Sequence, residues 1–388
     1  MIPYQFQLRT AVHVGANKSA EVGEIVASRT TAKKAIIVSD AFLVKSGLTQ
    51  PIEKSLIDKG YEVHIFDNVQ SNPTMAEIDE VAQMIRDTNS DVVLGVGGGS
   101  PLDVAKTAAM VAGGEDSVSN YALGANPFPE KKVNVVGIPT TAGTGAEVTS
   151  TVIFSDEKHR KLWGWDALMA PEIAILDPSL TVKLPPHLTA ATGLDAIVHA
   201  IEAATSQNTN PFIQGMAMQA IRLLSNDLPI ALEKPENLQA RENLLVGAAL
   251  AGVAIEHGGT GLAHNIGHAL STVDGLHHGR AVAIALYHIY DYNLDSDYET
   301  VFADIARALG AKDTLVNENE LAREGARLYR ALVDSSPLAL KLDGVERDRY
   351  HTEVLISTLS SENSPMRKNN CRIPTDVEME QLVMKLTS

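Results

Sequence analysis

Five of the chain's 12 histidines lie between Glu256 and Arg280: His257, His264, His268, His277 and His278. A window of this size would hold roughly one at the average His frequency, so composition does not account for the cluster. His264 and His268 stand at i and i+4, which puts both imidazoles on one face of a helix. Asp195 and His199 have the same spacing inside an apolar run of Ala, Leu, Ile and Val. A carboxylate and an imidazole on such a helix need a partner or a metal. An Asp–His pair that satisfies itself, with the other histidines capping helix ends, is the structural alternative. Asp195, His199, His264 and one of His277 or His278 would supply one oxygen and three nitrogen ligands. That donor set suits Fe(II) or Zn, with Co, Ni or Mn as substitutes. The single cysteine, Cys371, excludes a thiolate cluster and an internal disulfide framework.

A second chemistry is carried by two glycine-rich turns. Gly97-Gly98-Gly99-Ser100-Pro101 opens a helix bearing Asp103 and Lys106. Backbone N–H groups of such a turn can approach a phosphate, and the helix N-terminus adds a favourable dipole. Pro101 is compatible with a first helical turn. Pro139-Thr140-Thr141-Ala142-Gly143-Thr144-Gly145-Ala146-Glu147 is richer in small hydroxyls that can cradle a pyrophosphate or ribose. Either loop alone reads equally as a tight structural turn; two such loops after neighbouring strands point to a dinucleotide. Asp40, at the end of an earlier strand, can accept from both ribose hydroxyls and would repel a 2′-phosphate, which favours NAD over NADP. Its other reading is a helix N-cap, and the two are compatible.

The elements that must carry these groups follow from hydrophobic patterning. Strands are expected at 35–38, 63–66, 92–96 and 133–139, with helices at 51–59, 75–87 and 101–112 between them. Strands alternating with helices imply a mostly parallel sheet that binds ligands outside its carboxyl ends. After Leu184-Pro185-Pro186 the strand signal ends. Helices are expected at 188–206, 211–227, 240–255, 261–271, 280–292, 300–309, 318–331 and 376–385, with a surface loop at 360–372. The expected fold is an α/β N-terminal domain (1–185, Rossmann-like) followed by an all-α C-terminal domain (186–388). The active site is expected in the cleft between them.

Composition narrows the class. The chain has 388 residues, 45% hydrophobic and 21% charged, with a net charge of −16. That balance argues against nucleic acid or an anionic membrane as partner. No apolar run approaches the roughly 20 residues of a membrane span. The start, Met-Ile-Pro-Tyr-Gln-Phe-Gln-Leu-Arg, lacks the pattern of a secretory leader, so a cytoplasmic location is expected.

A metal site and a dinucleotide loop together suggest metal-assisted hydride transfer, the metal lowering the pKa of an alcohol. The chain resembles the iron-containing (group III) alcohol dehydrogenase family over essentially its whole length. The resemblance rests on Asn72-Pro73-Thr74, Gly97-Gly98-Gly99-Ser100 with Asp103 and Lys106, and Pro139 to Glu147. Asp177-Pro178, Gly193-Leu194-Asp195-Ala196 with His199 and Glu202, Gly261-Leu262-Ala263-His264, His268 and His278-Gly279 complete it.

The likeness implies metal ligands Asp195, His199, His264 and His278, with His277 a neighbour. It implies a non-ligand His268 near the nicotinamide, where it could relay a proton. It also implies cofactor contacts from Asp40, Gly97, Gly98, Gly99, Ser100, Asp103, Thr140, Thr141, Thr144 and Lys161. The activity implied is NAD(H)-linked oxidation of a small primary alcohol, or reduction of its aldehyde, by a homodimer or higher homo-oligomer. Fe(II) is the expected ion, with Zn the alternative.

Departures from the family pattern fall at Ile255-Glu256-His257, where Phe-Ser/Asn-Asn is common, at Trp163 and Trp165, and at Asn370-Cys371-Arg372, where Asn-Pro-Arg is common. Trp163, Ile255 and His257 are therefore candidate substrate-pocket residues, shifting preference towards a polar alcohol. The competing expectation is that both tryptophans are core and that His257 faces a helix end. The rival activities are a Zn-dependent polyol (glycerol-type) dehydrogenase, which uses fewer ligands, and a dehydroquinate-synthase-like lyase, which consumes no net NADH.

Overall fold

The computed structural model describes residues 4–30, 33–158, 160–312, 317–338, 349–361 and 364–387. Contacts divide the chain into two compact units, Gln7–Lys183 on one hand and Leu184–Ser388 with Met1–Phe6 on the other.

In Gln7–Lys183 the strands are β1 (Ala11–Val14), β2 (Lys34–Val38), β3 (Glu62–Phe66), β4 (Val92–Gly97), β5 (Asn134–Pro139), β6 (Thr151–Ser155), β7 (Lys161–Trp165) and β8 (Ile173–Leu176). The helices are α1 (Val22–Ala27), α2 (Ala41–Lys45), α3 (Gln50–Asp58), α4 (Met75–Thr88) and α5 (Gly99–Val111). Six strands form one parallel sheet in the order β1-β8-β5-β4-β2-β3.

Successive side chains of a strand point to opposite faces, and here both faces are covered. Ile36, Val38, Val93 and Val135 join Ile78 and Val81 of α4 and Val104 and Ala108 of α5. Ala35, Ile37, Val92, Leu94 and Val136 join Val22 and Ile25 of α1 and Ile52 and Leu56 of α3. Burial on both sides is why the central strands read as continuous apolar runs. Gly95 brings α5 onto the sheet, since a Cβ there would stand 2.9 Å from Leu102 Cα.

Sequence patterning missed β1, β8 and the antiparallel β6–β7 hairpin. In the hairpin Trp163 and Trp165 occupy alternate positions of β7 and are 44% and 53% exposed. This corrects the expectation that the tryptophans are core. Gly164, between them, faces inward, where a Cβ would meet Val152 and Phe128.

In the second unit the helices are α6 (Pro186–Thr205), α7 (Pro211–Glu233), α8 (Leu238–Gly258), α9 (Leu262–Asp274), α10 (His278–Leu294), α11 (Glu299–Ala308), α12 (Glu318–Asp334), α13 (Arg349–Ser361), α14 (Ser364–Asn369) and α15 (Asp376–Thr387). No strand occurs in it among the described residues, so the all-α character expected from the sequence holds. None of its described helices alone is long and apolar enough to cross a membrane. The expected loop at 360–372 is corrected in part: 360–361 end α13 and Ser364–Asn369 form α14, whose Pro365 sits in the first turn where proline is tolerated. α7 runs through Pro229 to Glu233, past its expected end. α8 and α9 meet at 104°, across a turn in which Gly259 takes φ +71°.

Candidate metal centre and cofactor loops

α6 is Ala-rich and almost wholly buried, and it presents Asp195, His199 and Glu202 at i, i+4 and i+7, one helical face. Asp195 is 2% exposed, His199 5% and Glu202 3%. α9 brings His264, also 2% exposed, onto that face. The ligand-type atoms of Asp195, His199 and His264 all lie within 4.8 Å of one another. The rings of His199 and His264 stack with centroids 4.4 Å apart and planes 18° from parallel. His278, the first residue of α10, points Nε2 at the same Asp195 oxygen from 3.7 Å. Gly279 lets α10 start against α6, since a Cβ there would run into the carbonyl of Ala191.

Asp195 Oδ1 and His264 Nε2 are 3.6 Å apart, and each is buried without a hydrogen bond. Leaving two such atoms unsatisfied is costly unless something else satisfies them. Atoms bound about 2.0–2.2 Å from one tetrahedral ion stand roughly 3.4 Å apart, so the 3.6 and 3.7 Å spacings suit a shared cation. The residues present therefore fit a divalent metal.

Behind His264, Nδ1 donates to Glu202 Oε2 at 2.6 Å. This bond leaves the Nε2 lone pair facing Asp195, the arrangement that orients imidazole ligands in metal sites. Glu202 also accepts from the backbone N–H of Gly261 at 2.9 Å and of Ala263. Burial opposes charge on Asp195, yet His199, His278 and His264 hold its carboxyl far below the ordinary range. Burial likewise opposes charge on His264, while Glu202 and Asp195 push it up to about 9. The field that favours a proton on His264 equally favours a metal cation.

His268 is half-buried one helical turn beyond His264; its ring lies edge-on to His278 with centroids 5.0 Å apart. His277 is exposed at the N-cap of α10. Ile255 and His257 lie near the end of α8, both half-buried. The His257 ring packs on Phe6 at 4.5 Å, and Phe6 stacks on Phe212 at 5.2 Å. His257 thus has a contact with the N-terminal segment that sequence reading did not anticipate.

In the sheet unit, Asp40, Gly97–Ser100 and Thr140–Thr144 follow β2, β4 and β5, three adjacent strands. The β2/β4 gap is where the chain reverses its direction across the sheet, the point where such sheets bind ligands. Ser39 Oγ ties the two strand ends by donating to Val96 O at 2.8 Å. Asp40 caps α2, Oδ1 accepting from Leu43 N at 2.9 Å.

The two glycine-rich loops close on each other. Thr140 N donates to Gly97 O at 2.8 Å, and a Cβ on Gly99 would lie 3.0 Å from Thr144 Cγ2. Gly97 has φ +152°, and a Cβ there would strike the Pro101 ring at 2.6 Å. Ser100 Oγ donates to Ser71 O at 2.8 Å. Asp103 faces inward: it accepts from Ile153 N at 3.1 Å and stands 3.1 Å from Lys106 Nζ. Lys106, fully buried, donates to the carbonyls of Ala146, Thr149 and Thr151. Asp103 and Lys106 therefore brace the second loop from beneath. Lys161 opens β7, paired with Ser155.

The structural tasks of Glu202 and Asn370 were not read from the sequence. The signal for Glu202 was its place on the Asp195/His199 face of α6. Asn370 is brought to α9 from 108 residues away, where its Oδ1 accepts from Leu262 N at 3.1 Å.

Comparison with known proteins bears on both sites. Residues 9–178 match the family model described as iron-containing alcohol dehydrogenase, and residues 189–386 match that of the Fe-containing alcohol dehydrogenase family, C-terminal. The chain is 37% identical over 306 residues to the NAD-dependent methanol dehydrogenase of Bacillus methanolicus, covering 79% of this chain and 80% of that protein. The solved structure of a 1,3-propanediol oxidoreductase superposes with a TM-score of 0.92 at 30% identity, covering 99% of this chain and 100% of the other. A sulfoacetaldehyde reductase from Bifidobacterium kashiwanohense in complex with NAD+ superposes at 0.90 with 27% identity, covering 100% of both chains.

Proposed function

This chain belongs to the iron-containing alcohol dehydrogenase family and is an NAD(H)-linked, metal-dependent alcohol dehydrogenase, and on that premise we propose which residues carry the reaction. Asp195, His199, His264 and His278 hold the metal. The observation that carries this assignment is the buried Asp195–His199–His264 cluster, with Glu202 fixing the His264 ring from behind.

A divalent ion bound there, Fe(II) first and Zn second, supplies the Lewis acidity that lowers an alcohol's pKa. NAD supplies the hydride acceptor. Asp40 takes the adenosine ribose, while Gly97, Gly98, Gly99 and Ser100 with Thr140, Thr141 and Thr144 line the pyrophosphate loops. Asp103 contributes by fixing the second loop, and Lys161 is kept as a cofactor contact. His268, edge-on to His278, takes the proton released by the alcohol and passes it outward.

The substrate proposed is a small primary alcohol or its aldehyde. Ile255, His257 and Trp163 are among the positions at which this chain departs from its family, and at these three preference is set. A homodimer or larger homo-oligomer in the cytoplasm completes the proposal; light scattering after size exclusion tests the assembly.

The decisive experiment is metal analysis of anaerobically purified protein, followed by NADH absorbance with a panel of alcohols and aldehydes. Stoichiometric metal and NAD reduction by short alcohols are expected. Full activity in metal-free protein would overturn the mechanism.

A further inference from the structure

The helix that carries His264 begins at a glycine and so has no side chain of its own with which to cap its first N–H groups. Two distant residues supply the acceptors. Glu202 takes the N–H groups of Gly261 and Ala263, and its Oε1 lies 3.4 Å from that of His264. Asn370 Oδ1 takes the remaining one, Leu262 N, at 3.1 Å.

The Asn370 amide is used at both ends. Its Nδ2 donates to Asn293 Oδ1 on α10 at 2.8 Å and to Arg372 O at 2.7 Å. Leu262 N–H requires an acceptor and Arg372 C=O requires a donor, which fixes the amide orientation. Asn370 is 3% exposed and Asn293 also 3%, so these bonds are made out of water. One side chain thus joins α9, which bears His264, to α10, which bears His278.

The neighbouring residue reinforces the same turn. Asn369 Nδ2 donates to Gly258 O at 2.8 Å and Thr260 O at 3.0 Å, while its backbone carbonyl accepts from Gln207 N at 2.9 Å. The glycines of the turn match this approach. A Cβ on Gly259 would stand 2.8 Å from Asn369 Nδ2, and one on Gly261 would stand 2.8 Å from Asn370 Oδ1.

We propose that Asn370 is a positioning residue for the metal centre, setting the start of α9 and hence where His264 presents Nε2. The proposal rests on the reading of His264 as a ligand. Side chains that orient first ligands typically change metal affinity about 10–100-fold when removed. Leu262 N–H needs the amide oxygen, and Asn293 Oδ1 and Arg372 O need the amide nitrogen, so a leucine, which supplies neither, should not serve.

The test is Co(II) affinity by chelator competition, together with the visible Co(II) absorption band, in the full-length protein. Asn370→Leu is expected to weaken Co(II) binding about 10–100-fold and to shift the band. Arg372→Ala loosens the same segment from Asp295 and Glu378 without touching α9. It is expected to lower the melting temperature and leave Co(II) affinity unchanged.

Wild-type Co(II) affinity in Asn370→Leu would overturn the proposal, as would an equal loss in Arg372→Ala. Should Asn370→Leu not fold, Asn370→Ala removes the same amide with less bulk and is expected to lose Co(II) affinity to a similar degree; unchanged affinity there overturns the proposal too. His264→Ala runs in parallel: if it retains Co(II), the ligand assignment itself has failed, whereas its loss beside a wild-type Asn370→Leu refutes only the positioning role.

Discussion

His264 and Glu202 sit 2.6 Å apart across α9 and α6, and their bond decides which imidazole nitrogen faces Asp195. A neutral imidazole that donates from Nδ1 keeps its lone pair on Nε2. Glu202→Gln retains an acceptor oxygen but loses the negative charge. Metal affinity should fall by about 10–100-fold, with kcat falling at subsaturating metal. Chelator competition followed by metal reconstitution checks this; unchanged affinity would show that the carboxylate only caps α9.

Asp195→Ala and His264→Ala should each lose metal and turnover while NADH still binds as in the wild type. The metal candidates all come from Leu184–Ser388, whereas Asp40 and the glycine-rich loops come from Gln7–Lys183. NADH fluorescence titration of metal-free variants measures this. Abolished NADH binding in either variant would contradict the division of labour.

The central strands β2, β4 and β5 and the metal candidates Asp195, His199 and His264 were legible in the sequence because they are largely buried. Val92 to Val96 reads as a strand because both faces of β4 are covered. β1 escaped notice because it is an edge strand of four residues whose Val12 and Val14 are exposed. The β6–β7 hairpin escaped because Trp163-Gly164-Trp165 alternates exposed and buried in a short ribbon instead of presenting an apolar run. Asp195, His199 and His264 stood out because charge and imidazole on apolar helices are rare. The task of Asn370 could not be read, since an asparagine is ordinary in a polar stretch and its meaning depends on a contact with Leu262, 108 residues away. The inward turn of Asp103 to Ile153 and Lys106 was not legible for a related reason: its place on the first turn after the glycines does not give its direction.

Gly99→Ala should weaken NAD binding and leave the metal centre intact. The added methyl would lie 3.0 Å from Thr144 Cγ2, so the two glycine-rich loops must separate or Thr144 must turn. An increase of about tenfold in the NADH dissociation constant corresponds to about 1.4 kcal/mol, a reasonable strain for one tight methyl contact. Isothermal titration with NADH beside metal quantification checks it. Loss of metal with unchanged NADH binding would contradict the placement of the cofactor on these loops.

Glu147 gives a prediction about pH. It is 2% exposed at the end of the second loop, and a Cβ on Gly137 would stand 2.9 Å from its own Cβ. Burial pushes its carboxyl up to about 7 from an ordinary 4.5, against the opposing pull of its own backbone hydrogen bond and of Lys106. Below pH 4.5 the group is protonated in both folded and unfolded chains, and the advantage of the folded protonated form is fully present. As pH rises through about 7 the folded chain must ionise a buried carboxyl, and that stability is lost. Glu147→Gln is neutral throughout and should therefore gain on the wild type as pH rises from 5 to 8, by an amount on the order of a few kcal/mol. Urea unfolding of both proteins across that range measures the difference. A gap between them that stays constant with pH would mean that Glu147 does not hold its proton in the folded chain.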